Sequence, residues 1–312
     1  MPALELVLRH VANGIVYSSI IVLGSIGLSL IYSIAGFANF AHGDTMTVGA
    51  YATLIASGAF GGLGVTVLGL PLGFLPALLI GGLVAAGVAV LTDRFVYEPL
   101  DVGSLGLLIT SIGVAYVYRG VIQARFGSDP RQYAVPAQQP IDTLAAIGLQ
   151  ITPQDVAIVL SAVILVTGLH VLLQYTDFGR KMRATADNPE LARASGIRTK
   201  AIRRRTWVIG AGLAGVGGAF LGLFNQLGPR MGFSLLLIVF AAVIFGGIGS
   251  IYGALLGSAV IGLVVQLVPL LSIYGLPIGI EYAEAVAFLI MVAVLLVRPQ
   301  GIAGEVIEEG EI

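Results

Sequence analysis

The chain has 312 residues, of which 57% are hydrophobic and 11% charged, with a formal net charge of -1 and no cysteine. This composition excludes a water-soluble enzyme domain and implies an all-α polytopic membrane protein. Without cysteine there are no disulfides, thiolate metal sites or Cys nucleophile. No polar stretch is long enough to fold by itself, so residues 1–312 read as a single transmembrane domain.

The first apolar stretch, Val11 to Ile34, is too long for a signal-peptide core and lacks a small-residue cleavage site; it is expected to be retained. Between Arg9 and Asp93 the only formally charged residue is Asp44, which allows three crossings, near 11–34, 44–60 and 72–92. The stretch GFANFAHGD before the second brings Gly36, Asn39, His42, Gly43 and Asp44 to membrane depth. Continuous helix is not expected there. Broken backbone is tolerated in a bilayer only where protein or a water-filled cavity covers it, so this segment is expected to face inward.

Residues 93–101 read as a short polar link in which Pro99 marks a helix boundary. A span from Val102 to Gln123 follows. Arg125 to Pro153, punctuated by four prolines, is expected to lie outside, and a span from Gln154 to Tyr175 returns the chain. After Arg205, residues 206–229 and 231–280 are uncharged on either side of Arg230. The longer run requires two crossings with a turn, placed at the glycine-rich stretch Gly246 to Gly253. Gly212 to Gly222 carries small residues at helical spacing, which let helices approach closely. A last span, Glu281 to Val297, precedes the acidic tail, residues 299–312.

Nine of the sixteen Lys and Arg residues fall between Thr176 and Arg205, against only Asp177, Asp187 and Glu190. The positive-inside bias puts this loop in the cytoplasm. Counting crossings from it gives nine spans and an external N-terminus, or eight and a cytoplasmic one if residues 35–60 only dip into the membrane. Within the loop, Asn188 is a helix N-cap, Pro189 a first helical residue, Glu190 a first-turn acid and Gly196 a left-handed stop after Ser195. A helix of about two turns is marginal alone, so something is expected to pack against it. The loop is either a solvated anchor of orientation or a docking helix for a cytoplasmic partner.

Asp44, with His42 and Asn39, has two readings: the polar lining or gate of a translocation path, or a network that satisfies a broken helix. Glu281 and Glu284 open the last span, where they either meet the ammonium group of an amino acid or oppose the helix dipole. His10 and His170 have no partner at ligand spacing, and no metal site or cofactor is expected. There is no G-x-x-x-x-G-K-[ST], so if ATP drives this protein, a partner binds it.

Four stretches carry a family resemblance: Gly27 to Leu54, the run from YEPLDVGSLG to FGSDPR, Gly179 to Ile197, and Phe245 to Ser258. Together they resemble the LivH-type permease subunit of branched-chain amino acid ABC importers. The third stretch is shared with sugar permeases; NFAHGD is the more discriminating one. At SIYG, Ser250 to Gly253, the chain departs from the proline that many of the family carry.

The resemblance implies a permease fold with broken or re-entrant helices, and a coupling helix in Asp187, Asn188, Pro189, Glu190, Leu191, Ala192, Arg193, Ala194, Ser195 and Gly196. It also implies a second homologous permease, two cytoplasmic ATP-binding subunits holding ATP-Mg, a periplasmic substrate-binding protein, and the inner membrane of a bacterial or archaeal cell. The expected cargo is leucine, isoleucine or valine, with urea or short amides as the runner-up. A different class, an ion-coupled secondary transporter or channel using Asp44, stands as the alternative.

Overall fold

The structure, a computed structural model, describes residues 2–60, 66–136, 138–145, 148–273, 282–298 and 300–303. Helix α1 (Pro2–Ala35) is followed by a break and α2 (His42–Phe60), then a small hairpin, β1 (Thr66–Val67) with β2 (Leu70–Pro71). Next come α3 (Phe74–Thr92), prolonged by a π-helical turn at Asp93–Tyr97, and α4 (Ser104–Phe126). A long connection carrying the single turn α5 (Asp142–Ala145) leads to α6 (Pro153–Tyr175). Two short helices, α7 (Asp177–Asp187) and α8 (Pro189–Ala194), occupy the basic stretch. The chain ends with α9 (Thr199–Phe224), α10 (Met231–Gly246), α11 (Ile251–Leu267), the turn α12 (Leu270–Ile273) and α13 (Ala283–Val297).

By length and composition, α1, α3 with its π turn, α4, α6 and α9 can each cross a membrane, while α10, α11 and α13 are shorter apolar helices. The chain is a multi-pass membrane protein. Helix α2 is as long as α3, 19 residues, but its first turn, His42 to Thr45, is polar and buried. Of the stretch expected to break the helix, residues 36–41 are not helical but His42, Gly43 and Asp44 already belong to α2; Phe37, Asn39 and Ala41 to Asp44 are buried as expected, whereas Gly36 is exposed.

Helix α9 runs through the middle, packed on α1, α2 and α3. The small-residue run makes this possible. A Cβ added at Gly215 would lie 2.5 Å from that of Ala85 on α3, and one at Gly218 would strike the Met46 carbonyl on α2. Close backbone approach of this kind replaces the hydrophobic drive that lipid does not supply. By contrast, α4 and α6 present Leu105, Ile109, Val117, Val163 and Ile164 outward, an apolar surface suited to hydrocarbon.

The glycine-rich turn lies where it was expected. Gly247 and Gly249 take positive φ values of 110° and 85°, and Ser250 caps α11 by accepting a hydrogen bond from the Gly253 amide at 3.0 Å. Two features differ from expectation. Asp93 to Tyr97 continue α3 instead of forming a polar link, because Asp93 is buried and paired. The basic stretch carries a helix ahead of the capped one: Thr176 accepts from the Gly179 amide, and Arg183 donates to the Leu173 carbonyl at 2.6 Å, satisfying the end of α6. In the connection after α4, Tyr133 is buried and donates its hydroxyl to the Ala50 carbonyl at 3.0 Å. Glu281, Pro299 and the tail residues 304–312 lie outside the described residues.

The ends of the bundle are distinct. Glu5, in the first turns of α1, packs against Gly148, while Gly69 of the hairpin packs against Gln138 and Pro153. Helix α6 begins at that end and reaches α7 and α8 at the other.

Candidate functional site

Asp187 ends α7, and Asn188 turns the chain into α8 by accepting from the amides of Glu190 at 3.0 Å and Leu191 at 2.9 Å. Pro189 takes the first helical position, where its missing N–H costs nothing. At the other end, Ser195 is the C-cap and Gly196 adopts φ +82°, the left-handed conformation that favours glycine. The Gly196 amide then bonds the Arg193 carbonyl, and the Ile197 amide that of Ala192, each at 3.0 Å. Both caps are those the sequence specified.

From Asp187 to Gly196 every residue is exposed except Ala192, which is turned inward. Leu191 is 64% exposed, with Pro189, Glu190, Arg193 and Ala194 beside it. Helices α7 and α9 support α8 from behind. A single rigid, two-turn helix is thereby presented outward with one large apolar side chain among charges. Such a surface suits insertion into a partner's groove.

The second feature is buried. Asn39 is 2% exposed, and His42 and Asp44 are fully enclosed. The Asn39 side-chain oxygen accepts from the Ala41 amide at 3.0 Å and from the Tyr97 hydroxyl at 3.4 Å. His42 Nε2 lies 2.9 Å from the Gly24 carbonyl on α1. Asp44 receives a two-point clasp from Arg119 of α4: Nε to Oδ1 at 3.1 Å and Nη2 to Oδ2 at 2.9 Å. The guanidinium also lies 4.5 Å from the Phe233 ring centre and 5.2 Å from that of Tyr116. Planar, forked donors and weak hydration make arginine the cation for such a place.

These contacts close the backbone break and join α1, α2, α3 and α4 around it. The two polar cavities at the hairpin end, one bordered by Arg230 and the other by Glu284, touch none of Asn39, His42 and Asp44. Arg119 was missed by the sequence reading. The signal existed: it is the only charged residue between Val102 and Gln123. His10 and His170 have structural partners, the Gln266 carbonyl at 2.8 Å and the Tyr252 hydroxyl at 2.7 Å.

A family model described as the permease component of branched-chain amino acid transport systems matches residues 10–295. The chain belongs to this family. The high-affinity branched-chain amino acid transport system permease protein BraD of Pseudomonas aeruginosa is 30% identical over 97% of this chain and 98% of its own length. The permease protein LivH of Escherichia coli K12 is 31% identical over 95% of each chain. A probable LivH of Methanocaldococcus jannaschii is 31% identical over 94% of this chain and 91% of its own.

In this permease the exposed helix and the buried break are physically connected. Arg203, near the start of α9, donates to Asp93 through Nη2 at 2.6 Å and Nε at 3.1 Å, and Asp93 opens the π turn. At the end of that turn, Tyr97 stacks on Trp207 of α9 with ring centres 5.7 Å apart and meets Phe37 edge-on at 5.1 Å. Its hydroxyl reaches Asn39. Nearer the surface, Lys200 Nζ lies 2.9 Å from Glu98, and that hydrogen bond holds the Glu98 carboxyl below its usual range. The chain following α8 is thus clamped to α3, and α3 to the break.

Proposed function

We propose that this permease translocates branched-chain, hydrophobic amino acids across the cell membrane, driven by ATP hydrolysis in partner subunits that dock on α8. The observation that carries the reading is the rigidly capped, exposed α8, joined to the buried break through Arg203, Asp93 and Tyr97. A solvated loop that merely set orientation would need neither cap nor clamp.

Two cytoplasmic ATP-binding subunits hold ATP-Mg, a second homologous permease completes the pore, and a substrate-binding protein delivers the solute from outside. The permease does no covalent chemistry. When ATP draws the two coupling helices together, the movement of α8 passes through α9 and the π turn to residues 36–44. There the helix is already interrupted, so reorientation breaks no continuous hydrogen-bond ladder. Asn39, His42 and Asp44 are the hinge of the path in this scheme.

The charge of the basic loop supports a cytoplasmic side for α7 and α8, in a bacterial or archaeal cell and in its inner membrane where there are two. The first turns of α1 lie at the opposite end of the bundle, which supports nine segments and an external N-terminus. An ion-coupled carrier is disfavoured because Asp44, its ion site, is already held by Arg119.

Uptake of labelled leucine by cells carrying the permease with its partners tests the reading, with ATP present or depleted and with isoleucine, valine or urea in excess. ATP-dependent uptake blocked by isoleucine and valine is the expected result. Uptake of urea without leucine would keep the machine and change its cargo, and proton-driven uptake without an ATPase would overturn the reading.

A further inference from the structure

Helix α4 carries an apolar stripe of Ile109, Tyr116, Val117 and Val121, each more than 60% exposed, and steps of three and four residues lead along it to Arg125 in the last turn. Phe126 follows, and two guanidinium groups lie against its ring. The guanidinium carbon of Arg125 is 5.4 Å from the ring centre and that of Arg131 5.5 Å. Arg131 is held in place: its backbone exchanges two hydrogen bonds with Leu227, at 2.9 and 2.8 Å, and its side chain donates to the Phe126 carbonyl at 2.8 Å. Two residues on, Tyr133 meets Phe74 edge-on with ring centres 5.2 Å apart, so the two arginines lie at the hairpin end, where α3 begins.

Two cations against one ring repel each other unless an anion lies close. Both are exposed, and neither takes part in the four ion pairs found among the described residues. Asp129, the one acid between Val102 and Ile141, is exposed and takes part in none of them either. The anion that balances the two arginines therefore comes from outside the chain.

We infer that Arg125 and Arg131 form a binding site for the headgroup of an anionic phospholipid, whose acyl chains lie along the apolar stripe of α4. Arg125, at the head of the stripe, takes the phosphate. Arginine suits this task because its planar fork matches phosphate oxygens while its flat face rests on an aromatic ring. The two ring distances put the guanidinium carbons at most about 11 Å apart. Arg131 thus adds a second positive charge on the scale of a Debye length, about 10 Å, without having to touch the same phosphate. Two positive charges select a lipid of net negative charge over a zwitterionic one, whose own cation offsets its phosphate. An acidic protein partner would use the arginines and leave the stripe unused, whereas a lipid uses both. The site belongs to the leaflet at the hairpin end; that this leaflet is the outer one rests on the orientation proposed above.

The test is photo-crosslinking of the complete importer in phosphatidylcholine liposomes that contain a small fraction of phosphatidylglycerol or of phosphatidylcholine, each with the same diazirine-bearing acyl chain. Mass spectrometry of the digested permease locates the label, with the exposed Val163 and Ile164 of α6 as the internal reference. Phosphatidylglycerol is expected to label α4 between residues 109 and 121 at least threefold more than phosphatidylcholine does, relative to that reference. Arg125→Gln combined with Arg131→Gln should remove the excess, and Arg125→Lys combined with Arg131→Lys should keep most of it. Equal labelling of α4 by the two lipids in the wild type would overturn the site. An excess that survives in the glutamine variant would overturn it too, and if binding-protein-stimulated leucine uptake by that variant were lost, the arginines would be assigned to an acidic protein partner. Absence of ATP-dependent uptake by wild-type liposomes that show the excess would count against the transport reading alone, because labelling reports lipid occupancy without requiring transport.

Discussion

Asp44 and Arg119, 75 positions apart in sequence, form a two-point ion pair in which the Asp44 side chain is fully enclosed and the Arg119 side chain 12% exposed. The pair ties the first turn of α2, which restarts the chain after its break, to a helix whose other faces are largely apolar and exposed. Two charges in such a place are tolerable only together.

Removing one partner should therefore cost more than removing both. Asp44→Asn or Arg119→Met is expected to destabilise the permease by about 3–5 kcal/mol, because the remaining charge is buried unpaired. The double variant should recover part of that loss. Thermal unfolding of the purified complex in detergent, read as a double-mutant cycle, checks this; additive losses would show that the pair is not coupled.

The caps of α8 make a second prediction. Asn188→Ala removes the side-chain acceptor of two amides and should weaken the helix by about 1 kcal/mol. Gly196→Ala, at φ +82°, adds strain of about 1 kcal/mol. Neither residue reaches the bundle core, so the folded yield should stay near normal while binding-protein-stimulated uptake falls. Uptake and detergent-extracted yield measured together distinguish this from misfolding.

The clamp behind α8 should transmit movement. Asp93→Asn weakens the Arg203 pair and leaves Arg203 partly buried with a poorer partner. ATP hydrolysis by the assembled importer is expected to continue while leucine uptake drops several-fold. Wild-type uptake by this variant would show that the coupling runs elsewhere.

Glu98 gives a pH dependence. Its hydrogen bond from Lys200 lowers the folded pKa below the unfolded value, so its stabilisation is present above the unfolded pKa and lost as pH falls through the folded one. An exposed pair of this kind contributes about 1 kcal/mol or less. Glu98→Gln should flatten the acid limb of the stability profile below about pH 4.3 and leave neutral stability nearly unchanged. Unfolding followed from pH 3 to 7 measures it.

The small-residue run on α9 predicts a steric effect. Gly218→Val would push a branched side chain into the Met46 carbonyl on α2, a backbone group that cannot swing away. Overpacking of this kind costs about 1–3 kcal/mol or more. Gly212→Ala should be nearly silent, since an added Cβ there meets nothing closer than the Gly82 carbonyl at 3.8 Å. A comparison of the two melting temperatures isolates the contact.

Much of this architecture was legible because local rules decide it. Asn188, Pro189 and Gly196 specify both ends of α8 through backbone chemistry that needs no tertiary context. The uncharged runs located the spans, and the polar cluster from Gly36 to Asp44 located the break. What escaped the sequence depends on pairing across long separations. Arg119 was hidden in an apolar stretch until α4 brought it to Asp44, and Asp93 looked like a loop residue until Arg203 drew it into a π turn. Helix α7 was hidden for a different reason. Its residues are mostly polar, and one buried stripe, with Gly179, Met182 and Thr185, holds it to the bundle.

The most direct test of the central claim, that α8 couples ATP hydrolysis to transport, is the ratio of leucine taken up to ATP hydrolysed by the complete importer reconstituted in liposomes, for the wild type and for Leu191→Asp. Leu191 is the large apolar side chain that α8 offers to a partner, and it supports nothing inside the permease. ATP-dependent uptake is expected in the wild type and a ratio at least tenfold lower in the variant, with the bundle still folded. An unchanged ratio in Leu191→Asp, or leucine uptake that proceeds without ATP, would contradict it.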